Sequence, residues 1–469
     1  MNSHTRRIKI RGLMSHGKIE KDFTKGPLLK QMILFALPLI CTNILQLVFN
    51  TADIAVLGVL VSDDAVAAVG STSSLVNLIT SLFIGLAVGV NVVVSRHLGN
   101  HDEERVKKVV GMSILLSLIF GVVLMAIGWF GARTFLELMK SDPEVIGLST
   151  KYIKVYFLGI PLVILYNFLA AIMRAAGDSK RPLIYLLIGG VVNVALNVFF
   201  ITVLNMTVEG VAIATVISQG IAATLCLIQL LKAKGVVRLR FNYIKFYKKE
   251  LIDVIKVGIP SGIQSSLFSL SNVLIQSTTN SFGKVAMAGI SYAQQIEGYV
   301  YTSMNAVSVA IMTFISQNYG SKNYDRIKKT LFYGLAITSV VGLVLGVASV
   351  LICKPLVGFL ADVPEVVDYS FNRILIVSLP YFTCGIMEIF TYSMRGLGKS
   401  FTSMIIVLVG ACLLRILWVE IIFEFVPNLF MVYVSYPVSW VATALVSLFV
   451  LIPTLKKLKI QASEESLQG

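Results

Sequence analysis

An apolar run near the amino terminus carries polar side chains at helical spacing. The four amide and carboxylate residues of this run are Asn43, Gln46, Asn50 and Asp53. Their steps of three, four and three residues place all of them on one face of a helix. An ionised carboxylate near the middle of a membrane span costs about 2.5 to 3.5 kcal/mol. Asp53 is therefore expected either to hold a cation or to carry a proton, which predicts the exchange of a monovalent ion at this face.

Two later apolar runs supply neutral oxygen atoms that could complete an ion site around Asp53. Asn193 and Asn197 lie one helical turn apart, and Thr215 lies in the run that follows. Carboxylate, amide and hydroxyl oxygens suit Na⁺ or a hydrogen-bonded proton site. Because the set holds one carboxylate, the expected Na⁺ affinity is low. No other metal site and no cofactor are predicted.

Pro38 lies fifteen residues before Asp53 in the same predicted helix. Proline lacks an amide proton and its ring clashes with the preceding turn, so Pro38 predicts a bend that could serve as a hinge. The alternative is that Asp53 lies near the outer end of the span, beside Asp63 and Asp64, and is simply hydrated. Because Pro38 lies in the same helix, we favour the interpretation in which protonation of Asp53 is coupled to bending of that helix.

The second half of the chain repeats the polar faces. Candidate substrate-cavity residues in both halves share helical spacing or a charge within an apolar run: Asn43, Gln46, Asn50, Asn272, Gln276, Gln294, Glu297, Tyr301, Asn305, Glu388 and Arg415. They predict a water-filled cavity between the halves. The alternative is that single amides join neighbouring helices. Arg415 stays charged and needs a partner, for which Glu388 and Glu420 are the candidates.

Two phrases recur 221 residues apart and show that the chain contains two copies of one unit. SRHLGNHDEERVKK at 95–108 matches SQNYGSKNYDRIKK at 316–329, and the pattern MRxxGxS occurs at 173–179 and 394–400. Two packed copies of a membrane unit are a common plan for transporters, because a site between them can open to either side. An approximate two-fold axis along the membrane normal is expected.

Composition and spacing predict an all-α integral membrane protein. The chain has 469 residues, of which 56% are hydrophobic and 14% charged, and a mean hydropathy of +0.82. Its charges fall at intervals of about 20 to 30 residues, the length of a helical span, which predicts twelve transmembrane helices in two six-helix lobes. The expected units are a basic tail (1–29), an amino-terminal lobe (30–231), a linker (232–250), a carboxyl-terminal lobe (251–454) and a second tail (455–469).

The distribution of basic residues predicts the orientation. Of the 40 Lys and Arg residues, 31 fall in the two tails and the even-to-odd connections, and seven fall on the other side. The positive-inside rule then places both termini in the cytoplasm. The net charge of +15 is explained by topology and anionic lipid headgroups, and a nucleic-acid partner is not expected. An RNA-binding strip in the linker is the disfavoured alternative. The amino tail is read as retained, with translation starting at Met1 or Met14.

Enzyme chemistry finds little support. The four histidines are His4, His16, His97 and His101, all in the tail or one connection, and neither an HExxH motif nor a P-loop is present. The chain is therefore expected not to be an enzyme and not to be driven by ATP. Uphill transport would come from an ion gradient.

The motifs together resemble the prokaryotic branch of the multidrug and toxic compound extrusion (MATE) family. The resemblance rests on Pro38 followed by Asn50-x-x-Asp53, on MRAAGDSKRP at 173–182 and on SQNYGSKNYDRIKK, and it covers about residues 25 to 455. It implies export of cationic or amphipathic small molecules in exchange for H⁺ or Na⁺, through a V-shaped opening between the lobes. It also implies a prokaryotic plasma membrane location, and a monomer is expected.

Residue by residue, the resemblance is to the DNA-damage-inducible branch of that family. The acid of span 1 matches Asp53, the amide of span 5 matches Asn193, and the hydroxyl of span 6 matches Thr215. A second span 5 acid of some members falls on Asn197, which favours H⁺ over Na⁺. A span 7 Glu of other branches falls on Phe268.

Two other functions remain open at this stage. A lipid-linked oligosaccharide flippase of the same superfamily would share the twelve spans, but should present several basic residues to its cavity for phosphates. Only Arg415 is predicted there. A membrane enzyme or receptor with a polar interior is the other class.

Overall fold

The chain folds almost entirely into helices. The computed structural model describes residues 20–139, 143–361 and 363–468, and every regular element within them is helical. Most of the predicted amino tail, including Met1, Met14, His4 and His16, lies outside the described residues.

Twelve long helical units succeed one another in the described chain. They are α1 (Leu28–Leu60), α2 (Asp63–Gly99), α3 (Glu103–Leu138), α4 (Ile146–Leu158 and Ile160–Ala175), α5 (Lys180–Thr202), α6 (Val208–Lys232), α7 (Lys248–Asn280), α8 (Lys284–Gly320), α9 (Tyr324–Leu360), α10 (Pro364–Ser378 and Tyr381–Gly396), α11 (Ser400–Phe425) and α12 (Leu429–Gln468). The connection between α6 and α7 contains a short 3₁₀ turn, Phe241–Tyr243.

Eleven of these units are long and apolar enough to cross a bilayer. Nine are single helices, and α4 and α10 are pairs bent by 48° and 42° at their breaks. Within the described chain α7 is the exception: it has 33 residues, but its polar residues lower its hydropathy. In α10 the bend follows the π-helical segment Ile374–Ser378 and precedes Pro380. In α1 the helix is continuous through Pro38, so the hinge remains a prediction.

The internal repeat extends to the backbone conformation. Gly177 and Gly398, which are 221 residues apart, have φ of 90° and 79°. His101 and Lys322, at the same offset, have φ of 54° and 56°. A positive φ is uncommon for residues with a side chain. Its recurrence at matching positions shows that the two copies share their local folds as well as their sequence pattern.

The halves exchange contacts through their first two helices. α1 packs against α8, and α7 packs along α2. Gly85 and Gly89 of α2 face Gly258 and Gly262 of α7, and a Cβ on Gly85 would overlap the backbone of Gly262. These glycines therefore allow a close approach of the two helices at the interface between the halves.

A second tight contact lies where α2 and α8 end. A Cβ on Gly99 would overlap the backbone of Gln317, and a Cβ on Gly320 would overlap the carbonyl of Arg96. The two repeated segments, 95–108 and 316–329, therefore contact each other across the interface. We call this end of the molecule, which carries the ends of α2, α4, α8 and α10, the closed end.

The segment before α1 crosses the closed end. The Lys21 amide donates to the Ala176 carbonyl at 2.8 Å, and the Phe23 amide donates to Gln317 Oε1 at 3.0 Å. The Phe23 ring stacks on Phe314 with centroids 4.0 Å apart. Residues 21–23 thus tie the first half to the second.

A substitution tests the packing at this interface. We expect Gly85→Ala to destabilise the protein by about 1 to 3 kcal/mol, because the added methyl overlaps the backbone of α7 and the helices must separate. The matched control is Gly70→Ala in the same helix, where nothing lies within 4 Å of an added Cβ. Thermal unfolding of the purified proteins in detergent should show a lower Tm for Gly85→Ala alone. Equal Tm values would contradict the tight contact.

Candidate transport cavity

A cavity of about 520 Å³ lies between the two halves. Its walls come from α1, α2, α4 to α8 and α10. The predicted polar residues that line it are Asn43, Gln46, Asn50, Asp53, Asn193, Thr215, Tyr301 and Asn305. On α2 its lining runs from Val76 to Asn91 and includes Gly85, but it stops before Gly99. The cavity therefore lies alongside the glycine contacts with α7 and ends before the contact of Gly99 with Gln317 at the closed end.

A second cavity of about 490 Å³ lies within the carboxyl-terminal half. The predicted residues that line it are Asn272, Gln276, Gln294, Glu297, Tyr301, Glu388 and Arg415. Tyr301, Tyr392 and Arg395 border both cavities, so the two spaces are neighbours. Every predicted substrate-cavity residue lines one or both of them.

Asp53 lies in the wall of the main cavity and contacts α5 and α6. Asn197 Nδ2 donates to Asp53 Oδ1 at 2.6 Å, and Thr215 Oγ1 donates to Asp53 Oδ2 at 3.4 Å. The structure thus brings together side chains that are 144 and 162 residues apart in the chain. Both partners are neutral, so no cation of the protein compensates the carboxylate.

Two asparagines of α5 complete this cluster. Asn193 Nδ2 donates to Thr215 Oγ1 at 3.4 Å, and Asn197 Nδ2 approaches Asn193 Oδ1 at 3.4 Å. Asn197 is fully buried and lies behind Asp53, whereas Asn193 borders the cavity. Asn197 Oδ1 is buried without a hydrogen-bond partner. An unsatisfied amide oxygen beside a carboxylate is a ready ligand for a proton donor or a small cation.

Glu297 has a different environment, which the sequence did not reveal. It forms a bidentate ion pair with Arg373, in which Nε and Nη2 donate to its two oxygens at 2.9 Å each. Both side chains are buried. Sequence reasoning missed Arg373; the available signal was an arginine within the tenth apolar run.

Glu388 has no such partner. Asn305 Nδ2 lies 3.3 and 3.5 Å from its two oxygens, and the same amide donates to the Tyr392 hydroxyl at 2.9 Å. Among the described side chains no salt bridge reaches Glu388. Its surroundings resemble those of Asp53, because an amide rather than a cation holds the carboxylate.

The expected pairing of Arg415 with Glu388 or Glu420 is wrong. Arg415 donates to Asn272 Oδ1 at 3.1 Å and to Ser439 Oγ at 3.1 and 3.0 Å. Glu420 is exposed on α11. The face of the Tyr436 ring lies 4.3 Å from the guanidinium carbon, so neutral acceptors and an aromatic ring stabilise the charge in place of a carboxylate.

Some polar residues join helices, as the alternative interpretation proposed. Asn43 Nδ2 donates to the Thr302 carbonyl at 3.1 Å, which links α1 to α8. Gln294 Nε2 donates to Gln276 Oε1 at 2.5 Å, which links α8 to α7. Each of these residues also borders a cavity, so the two roles coexist.

Arginines are more numerous along the cavities than the sequence analysis allowed. Arg174 and Arg395 border the main cavity, and Arg373 and Arg395 border the second, in addition to Arg415. The expectation that only Arg415 faces a cavity is therefore wrong. The signal was present in the repeated MRxxGxS pattern, which places an arginine at the end of α4 and of α10.

Both halves of the sequence also match a known family. The sequence model named MatE matches residues 38–199 and 260–419, one match in each half. The chain belongs to the MATE family of transporters. Family membership confirms the resemblance seen in the sequence and the expectation that the protein is not an enzyme.

Individual MATE relatives are similar over most of their length. The probable multidrug resistance protein YoeA of Bacillus subtilis is 30% identical over 385 residues, which are 80% of this chain and 82% of the relative. The multidrug export protein MepA of Staphylococcus saprophyticus is 23% identical over 402 residues, covering 85% and 88%.

Solved MATE structures share the fold. An outward-facing multidrug resistance MATE transporter has a TM-score of 0.87 at 20% identity, over 93% of this chain and 98% of that one. A transporter from Pyrococcus furiosus, described by its binding pocket of reverse polarity, has a TM-score of 0.88 at 21% identity and covers 93% and 98%. These likenesses confirm the all-α, two-lobe membrane fold.

The two buried acids of the carboxyl-terminal half should differ in their effect on stability. We expect Glu297→Gln to destabilise the MATE protein by about 3 to 5 kcal/mol, because it leaves the Arg373 charge buried without its partner. Glu388→Gln, the matched control, breaks no ion pair and should cost much less. Thermal unfolding in detergent measures both. Equal losses would show that the Glu297 pair has no special structural role.

Proposed function

We propose that this protein is a secondary active exporter of cationic or amphipathic small molecules that works in exchange for protons. The observation that carries the proposal is a carboxylate, Asp53, which lies in the wall of a cavity between two repeated halves and is held only by neutral donors. The relatives in Bacillus and Staphylococcus are named as a probable multidrug resistance protein and a multidrug export protein, which supports export as the direction of transport.

The composition of the Asp53 site favours a proton over Na⁺. Its ligands are one carboxylate and the neutral oxygens of Asn193, Asn197 and Thr215, and within the described chain no group of three or more His, Cys, Asp and Glu residues could hold a metal ion. With one negative charge, Na⁺ would be bound weakly. A proton needs one acceptor atom, and Asp53 supplies it.

Asn197 could report whether Asp53 is charged. With the carboxylate ionised, the amide nitrogen of Asn197 donates to Oδ1. A proton on Asp53 would remove the acceptor, and rotation of the amide by half a turn would present its unpartnered oxygen to the new donor. The hydrogen bond would then reverse its direction without any loss of packing.

The charge of Asp53 can couple the proton to the substrate. An ionised Asp53 attracts a cation in the cavity, and a protonated Asp53 does not. Because a proton and a cationic substrate would compete for one carboxylate, binding of either one would promote release of the other. Exchange of one proton for one monovalent cation moves no net charge, so only the pH gradient drives it, at about 1.4 kcal/mol per pH unit.

A second proton would allow the membrane potential to contribute roughly 2.3 kcal/mol per charge per 100 mV. Glu388 is the candidate acceptor, because Asn305 is its hydrogen-bond partner and no cation pairs with it. Glu297 is excluded from this role by its bidentate contact with Arg373. The carboxyl-terminal half would then carry a coupling acid of its own.

Alternating access would require the closed end to open. We place this end and both termini in the cytoplasm of a prokaryotic cell, in accordance with the positive-inside rule, so that the cavity faces outward. Opening would separate the glycine contacts of α2 with α7 and release Phe23 from Gln317. A bend of α1 at Pro38 is the proposed hinge. One protein chain contains both halves, so a monomer suffices.

A lipid-linked oligosaccharide flippase is the second candidate. The observation in its favour is the set of arginines that border the cavities, since guanidinium groups bind phosphates. Against it stand Asp53 and Glu388, which would repel them. A reconstituted protein that moves a pyrophosphate-linked lipid but no dye would favour the flippase.

The exporter proposal is tested by removing the charge of Asp53. We expect Asp53→Asn to reduce pH-driven efflux of ethidium from proteoliposomes to the level of protein-free vesicles, because the side chain can no longer take up or release a proton. Asp64→Asn, which changes an exposed acid at the start of α2, is the matched control and should keep wild-type efflux. Imposed Na⁺ and pH gradients are applied separately. Undiminished pH-driven efflux by Asp53→Asn would rule out the mechanism.

A further inference from the structure

Arg174 and Arg395 occupy equivalent places in the two halves. They are 221 residues apart in the repeated MRxxGxS pattern. Each lies in the last turn of the second segment of its broken helix, α4 or α10. Each is followed three residues later by a glycine with positive φ. The repeat therefore positions two arginines symmetrically about the axis that relates the halves.

Both arginines border the main cavity where it approaches the closed end. Their helices end beside the amino segment, since the Ala176 carbonyl accepts from the Lys21 amide. Both side chains are among the residues that line the cavity. They form part of its floor, whereas Asp53 lies farther along α1 toward the opposite end.

Neither guanidinium has a carboxylate partner among the described residues. No salt bridge within the described parts of the chain includes Arg174 or Arg395, and the Nε atom of each is buried without a hydrogen-bond partner. Arg395 is 3% exposed, and its guanidinium carbon lies 4.3 Å from the centroid of the Tyr392 ring. Asp178, a few residues beyond Arg174, is paired with Arg181 at 2.7 Å instead.

The charged groups of the two cavities can be sorted by their partners. The acids are Asp53, Glu297 and Glu388, and the bases are Arg174, Arg373, Arg395 and Arg415. Glu297 and Arg373 neutralise each other, and Arg415 is hydrogen-bonded to Asn272 and Ser439. Two acids and three arginines are thus without an ion pair among the described residues, and of these arginines Arg174 and Arg395 also have a buried Nε atom without a hydrogen bond. An unpaired buried charge is costly, so it marks a place where a ligand can supply the counter-charge.

The remaining groups lie at a distance that suits one small molecule. Glu388 precedes Arg395 by seven residues on α10, which corresponds to about 10 Å along the helix axis. Seven residues are two turns, so both side chains lie on the same face. An acid and an arginine at this separation match a molecule with a cationic group at one end and an anionic group at the other.

We propose that Arg174 and Arg395 form a binding site for an anionic group, a carboxylate, sulfonate or phosphate, on an amphipathic substrate whose cationic group faces Glu388. This inference rests on the proposed function and specifies zwitterions as substrates within its amphipathic class. The planar guanidinium donates two parallel hydrogen bonds to such an anion. A proton on the acids would weaken the hold on the cationic group and leave the anion site unchanged, so the coupling to protons is retained.

Equilibrium binding of two dyes tests the proposal. The probes are a rhodamine with a free carboxylate, which is a zwitterion, and its methyl ester, which is a cation with the same ring system. Fluorescence anisotropy measures the binding of each to the purified full-length protein in detergent at fixed pH and salt. The proteins are the wild type, Arg174→Gln, Arg395→Gln, the lysine variant at each position, and Arg133→Gln as an exposed control on α3.

We expect each glutamine variant to bind the zwitterion about tenfold more weakly than the wild type, which is the loss of one charge-assisted hydrogen bond. Binding of the ester should stay unchanged or tighten, because a like charge is removed. Lysine variants should keep part of the zwitterion affinity, and Arg133→Gln should keep all of it. Retained ester binding shows that a variant is folded.

Three results would overturn the proposal. The zwitterion could fail to bind the wild type, its affinity could be unchanged in the glutamine variants, or both dyes could lose affinity equally, which indicates a packing role. Because no gradient is imposed, the experiment is independent of proton coupling. A failure of Asp53→Asn to abolish efflux would leave this difference between the dyes intact.

Discussion

The high free energy of a charge in a low-dielectric interior is the constraint on which this transporter depends. The described residues meet it in three ways. Glu297 and Arg373 neutralise each other, and Arg415 is stabilised by neutral acceptors and the Tyr436 ring. Asp53 is held only by the Asn197 amide and the Thr215 hydroxyl. The first two arrangements are complete within the protein, and in the proposed function an ion or a substrate completes the third.

The packing of the two halves closes one end of the molecule. The contacts of Gly99 with Gln317 and of Gly320 with Arg96, and the crossing of the closed end by residues 21–23, form this closure. The cavity with Asp53 lies beyond that end. The positive φ angles of Gly177 and Gly398 show that the two halves have similar local geometry at this end.

Sequence reasoning was most successful where one physical rule decided the outcome. The spacing in α1 and the cost of a buried carboxylate singled out Asp53, the polar residues of two later apolar runs suggested Asn193, Asn197 and Thr215, and the family resemblance supported Asn193 and Thr215. Hydrogen bonds and ion pairs between helices were harder to predict, because they depend on how each helix is rotated about its axis and on its depth in the membrane. Arg373 comes directly before the π-helical segment of α10 and pairs with Glu297 of α8, and no spacing rule predicts such a contact. Arg174 and Arg395 were missed for another reason. They lie at the ends of apolar runs, where the hydropathy pattern predicts a connection between helices rather than a cavity wall.

The central claim is that a proton and a cationic substrate compete for Asp53. The most direct measurement is proton release when a cationic dye such as ethidium binds to the purified protein in weakly buffered detergent solution, recorded at several pH values. The account predicts a pH at which binding releases about one proton per dye, and no release from a protein in which Asp53 is replaced by Asn. Dye binding without proton release at any pH, or equal release by the Asn variant, would contradict it.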